Sequence, residues 1–130
     1  MALFSSSTFL DGGLTYLKTN GTKMLLLKAY TAGDSYATVV SNVIAEVAMA
    51  SGDYAITGAA GADRVLTTAA GKSATASANS GATPDLHIAF TNGTSEVIYV
   101  TDETSNQVVT AGNTVNYPQV TYTAKQPTAV

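Results

Sequence analysis

The chain has 130 residues, 45% hydrophobic and only 12% charged, with no cysteine, no tryptophan, one histidine and a formal net charge of −3. That length fits a single domain over residues 1–130. The missing thiols remove disulfide frameworks, thiolate zinc sites and cysteine nucleophiles, and the acidic balance argues against a nucleic-acid partner, which needs a basic face.

The opening segment Met1-Ala2-Leu3-Phe4-Ser5-Ser6-Ser7 has neither a basic n-region nor an apolar h-region, so no signal peptide is expected. The longest apolar runs, such as Met24-Leu25-Leu26-Leu27, fall far short of the ~20 residues that cross a bilayer. A soluble protein made in the cytoplasm, with no membrane partner, is the expectation. Leu10, Leu14 and Leu17 recur at helical spacing, with Thr8 and Asp11 as a cap pair and Asn20-Gly21 as the stop. Gly12 and Gly13 each cost up to about 1 kcal/mol inside that helix, which close approach of another backbone would explain. Residues 22–29 read as a buried strand.

Tyr36, Val39, Val40, Val43, Ile44 and Val47 form a helical stripe, with Asp34 or Ser35 as N-cap. Most are β-branched, however, and the pattern alternates equally well. Helix over 35–42 giving way to strand toward Met49 reconciles the two. From Ser51 onward the period becomes two, with turns at Gly58-Ala59-Ala60-Gly61-Ala62, Asn79-Ser80-Gly81, Asn92-Gly93 and Ala111-Gly112-Asn113. Strands are expected over 64–70, 72–79, 97–101 and 107–110, on Leu86, Ile88 and Phe90, and on Val115, Tyr117, Val120 and Tyr122, where Pro118 marks an edge or bulge. Short strands at this spacing predict a mainly β (α+β) domain, an antiparallel sandwich with one or two short N-terminal helices. Residues 1–7 and 124–130 lack periodicity and read as flexible arms.

No constellation announces chemistry. His87 falls on the strand face opposite the apolar side and reads as a surface residue. Ala70-Gly71-Lys72-Ser73 imitates a phosphate loop, but Leu66 stands where the required glycine would be, so the segment reads as a hairpin turn with a solvated lysine. The acidic residues are scattered, and Asp102-Glu103 reads as a solvated turn without calcium-loop spacing. Asn20-Gly21-Thr22 and Asn92-Gly93-Thr94 match the glycosylation pattern and read as turns. No catalytic, cofactor or metal site is therefore assigned. The seven tyrosines read as core packing first and as a contact surface second.

The order of these segments carries a resemblance. A short helix holding Leu10-Asp11-Gly12-Gly13-Leu14 precedes the strand Lys23-Met24-Leu25-Leu26-Leu27 and a Tyr36-Ala37-Thr38 segment. A Gly-Ala loop ending Ala62-Asp63-Arg64, the strand Leu86-His87-Ile88-Ala89-Phe90 and a terminal Gly112-Asn113-Thr114-Val115 follow. Over roughly Leu10 to Pro127 the chain resembles small virion proteins of tailed bacteriophages, the capsid cement or decoration proteins. The resemblance implies a jelly-roll-like body and a non-enzymatic role on the outside of the virion. It also implies the major capsid protein as partner, and self-association, a homodimer ahead of a trimer. Leu3, Phe4, Tyr117 and Tyr122 are the interface candidates, with the Leu3-Phe4 arm docking by strand addition. A carbohydrate- or receptor-binding module of a phage tail is the alternative, and an enzyme built on His87 is a third reading.

Overall fold

Ser6 opens the first helix. Its backbone is extended, its Oγ accepts the Phe9 N–H at 3.1 Å, and α1 then runs Ser7–Asn20 in the computed structural model, which describes residues 2–129. Met1 and Val130, the outermost residues of the expected arms, lie outside the described residues. Thr8 and Asp11 are not the cap, because Ser6 already satisfies the first-turn amide. Asp11 instead faces Arg64, Oδ1 to Nε at 2.8 Å and Oδ2 to Nη2 at 3.1 Å, a forked pair joining the helix to a strand.

β1 (Lys23–Leu27) follows and is buried on both faces, as its unbroken apolar run predicts. α2 (Tyr36–Ser41) is a single short helix capped by the Ser35 hydroxyl, and β2 (Val43–Ala48) takes over where the β-branched residues accumulate. The expected change from helix to strand thus falls at Asn42. A 3-10 turn at Ser51–Asp53, absent from the sequence reading, leads into β3 (Tyr54–Thr57), then β4 (Arg64–Thr68), β5 (Ser73–Thr75), β6 (His87–Thr91), β7 (Val97–Asp102), β8 (Thr114–Asn116) and β9 (Thr121–Ala124).

Three differences from the expected strands have physical causes. The strand foreseen over 72–79 is regular only at Ser73–Thr75, because its backbone then changes partners: Ala76 N–H donates to Asn113 and Ser77 N–H to Ile44. Residues 107–110 form no strand; Val109 alone bonds across, exchanging hydrogen bonds with Ser80. The terminal strand is two strands. Around Pro118 the chain leaves β5, which β8 pairs, and joins β4, which β9 pairs.

All pairings are antiparallel, in sheets ordered β2-β1-β6-β7, β3-β4-β9 and β5-β8. The result is a small, mostly antiparallel α+β fold, consistent with a jelly-roll-like body. Met24, Leu26, Ile88 and Phe90 of the first sheet share one buried cluster with Tyr54 and Leu66 of the second, with Leu14 and Leu17 of α1, and with Val115 and Tyr117. On the other face of the first sheet, Leu25, Leu27 and Ala89 are covered by Val39 of α2 and by Tyr30. Among the described residues no helix is long and apolar enough to cross a membrane.

Candidate interaction surface

The four interface candidates divide. Leu3, Phe4 and Tyr122 are exposed, whereas Tyr117 is 5% exposed and belongs to the core. Tyr117 stands one residue past β8 and outside β9, so the alternation that placed it beside Tyr122 breaks at Pro118. Two exposed aromatics escaped the sequence reading, Phe9 and Tyr16. They stand seven residues apart on α1, with Gly12 and Gly13 between them, so the four form one exposed stripe flanking the buried Leu14 and Leu17. A Cβ built on either glycine would meet nothing within 4 Å. Close approach of this chain's own backbone is therefore not why they are there. Periodicity could have found the pair, since an apolar residue recurring on the polar side of an amphipathic helix is the signal.

Beside this stripe lies a groove of about 330 Å³, lined by Leu14, Tyr16, Glu96, Ile98, Tyr99 and Tyr122. Tyr16 donates its hydroxyl hydrogen to Glu96 at 2.5 Å, and that bond raises the Tyr16 pKa above the ordinary phenol value. Tyr99 meets Tyr122 edge-on with centroids 5.1 Å apart. Behind it, Phe90 stacks on Tyr99 at 6.0 Å and Tyr54 lies 6.1 Å from Phe90. An aromatic row thus passes from the buried end of β3 to the exposed face of β9, and β7 and β9, which border the groove, are both edge strands. The edges carry unpaired backbone groups that another chain can pair with.

The arms meet each other. Gln126 accepts the Ser5 N–H and donates to the Ser5 carbonyl, both at 2.8 Å, and its own N–H donates to Asp63. This brings the exposed Leu3-Phe4 end alongside residues just past β9.

The remaining sequence candidates have structural places of their own. Lys72 is no freely solvated lysine: its Nζ sits 2.8 Å from Asp53 and 3.2 Å from the Ala48 carbonyl. Gly93 has φ +83°, and Asn92 Oδ1 accepts the N–H groups of Thr94, Ser95 and Glu96, which closes the β6–β7 turn. His87 does lie on the sheet face opposite the main core, but that face is covered, and its side chain is only 16% exposed beneath Tyr30. Asp85, His87 and Asp102 come together there as a group of metal-ligating types. No protein-family model, no curated protein and no solved structure matches the chain.

Proposed function

We propose that the chain is a structural virion protein of a tailed bacteriophage, a non-enzymatic capsid cement or decoration protein. It would bind the outer surface of the major capsid protein lattice as a homo-oligomer and brace the head. The observation that carries this reading is the set of exposed apolar side chains in the N-terminal segment, Leu3, Phe4, Phe9 and Tyr16, spread over the arm and α1 with two glycines that no contact within the chain requires. Such a surface is a contact waiting for a second molecule, and a charge-poor protein loses little solvation when that molecule arrives. The resemblance of the segment order to decoration proteins supports the same conclusion. Heads assembled without this chain are expected to bind the purified protein and to gain resistance to heat or low salt. Unchanged head stability after saturation overturns the cementing role.

A second reading, a carbohydrate- or receptor-binding module of a phage tail, draws on the tyrosine-lined groove, where Glu96 offers a carboxylate beside exposed Tyr16 and Tyr122 rings. A glycan array separates the two readings. Specific glycan binding abolished by Tyr122→Ala favours the second, and an array without binding removes it.

A further inference from the structure

We infer that Asp85, His87 and Asp102 form a binding site for a single zinc ion at the open end of the β6–β7 hairpin. The topology gathers them: His87 opens β6, Asp102 closes β7, the two are direct cross-strand partners, and Asp85 precedes His87 by two residues. One carboxylate oxygen of each aspartate and one ring nitrogen of His87 lie within 4.8 Å of one another.

The imidazole is held as a ligand needs to be. Tyr30 packs against the ring with centroids 5.6 Å apart, and Nδ1 lies 3.1 Å from the Asp85 carbonyl oxygen. With Nδ1–H donating to that carbonyl, Nε2 is left with its lone pair beside Asp102, whose Oδ1 is 3.9 Å away. A backbone carbonyl that holds one ring nitrogen so that the other can bind metal is the usual outer-shell arrangement of metal-ligating histidines. The 3.9 Å separation is too long for a hydrogen bond. Zinc bonds of about 2.1 Å in tetrahedral geometry set donors roughly 3.4 Å apart, so a small rotation of the exposed Asp102 side chain brings both atoms onto one ion.

Charge singles out the same place. Every other aspartate and glutamate accepts a hydrogen bond from within the chain. The carboxylates of Asp85 and Asp102 accept none among the described residues, and no lysine or arginine lies within 4 Å of either. Two carboxylates converging on an imidazole without a cation are a divalent site in composition and in charge. The imidazole nitrogen selects zinc over magnesium or calcium, which prefer all-oxygen shells.

The test uses the tag-free full chain, freed of metal with a chelator and titrated with zinc by calorimetry and by NMR of the imidazole. His87 is the chain's only histidine, so the imidazole signals belong to the site. One zinc per chain is expected, saturating below about 100 µM and shifting those signals, with magnesium leaving them in place. His87→Ala and Asp102→Asn should each weaken binding roughly tenfold or more. Asp102→Asn, at an exposed strand end, keeps the test open if the histidine variant folds poorly. Zinc binding that is weaker than this, or that survives either substitution, overturns the site.

Discussion

Tyr54 donates its buried hydroxyl hydrogen to the carbonyl of Gly21 at 2.6 Å, tying the start of β3 to the end of α1. The contact leaves no space: a Cβ on Gly21 would fall 2.6 Å from the Tyr54 hydroxyl and 2.7 Å from the Leu17 carbonyl oxygen. Burial, and after it the neighbouring Asp53 charge, drives the Tyr54 pKa well above the ordinary phenol range, so the group stays a donor. Tyr54→Phe should cost about 1–2 kcal/mol, because it strands the Gly21 carbonyl away from water. Urea denaturation reads this directly, and an unchanged midpoint would mean the hydrogen bond contributes nothing.

Tyr117 predicts the opposite sign. Among the described residues its hydroxyl is the one buried side-chain polar atom without a hydrogen bond of normal geometry, the Leu26 backbone offering it only a weak polar contact. Tyr117→Phe removes a desolvated group and keeps the ring. The variant should be as stable as the wild type or up to about 1 kcal/mol more so, measured by the same denaturation. A loss as large as that of Tyr54→Phe would show that the hydroxyl has a partner after all.

Thr68 holds the crossover between sheets. Its Oγ1 accepts the buried Val120 N–H at 2.8 Å, its own N–H donates to the Val120 carbonyl, and its carbonyl accepts from the Gln119 side chain. Thr68→Val keeps the shape and orphans the Val120 N–H, at a cost of about 1–3 kcal/mol. Amide exchange at Val120 should accelerate in step, and unaltered protection there would refute the assignment.

Asp53 sets part of the acid limb of stability. Its carboxylate accepts the Ala50 N–H at 2.8 Å and faces Lys72 at 2.8 Å, and these bonds, the backbone one foremost, lower its pKa. A carboxylate with a depressed folded pKa contributes stability that is complete above its unfolded value, near about 3.9, and is lost as pH falls toward the folded value. Asp53→Asn should therefore be less stable than the wild type at neutral pH, with the gap closing in acid. Denaturation midpoints recorded from neutral pH down to about pH 2 check it, and a gap independent of pH would contradict it.

Much of the fold was legible in the residues, for stated reasons. The continuous run Met24 to Leu27 announced a strand buried on both sides, and Ser35 with the β-branched residues after it located the helix-to-strand change at Asn42. Pattern failed where long-range partners decide. Nothing local in 72–79 says that Ala76 bonds to Asn113 while Ser77 bonds to Ile44, and nothing beside Tyr117 says that the chain changes sheets at Pro118. The candidate sites divide in the same way. Residue type alone suggested Leu3, Phe4, Tyr117 and Tyr122 as contacts, and it could not tell the three exposed ones from the buried Tyr117. The grouping of Asp85 and His87 with Asp102 depends on the register of two strands, which spacing along the chain does not contain.

The Gln126 clamp on Ser5 has an engineering consequence. Because Ser5 and Gln126 lie side by side, a fusion reaching the body through either arm arrives at the same spot, next to Phe4. A cargo attached there would crowd the exposed Leu3 and Phe4 side chains, part of the proposed contact surface. A display tag is better inserted at Gly81-Ala82-Thr83, which are exposed and make no hydrogen bond to Ser5 or Gln126.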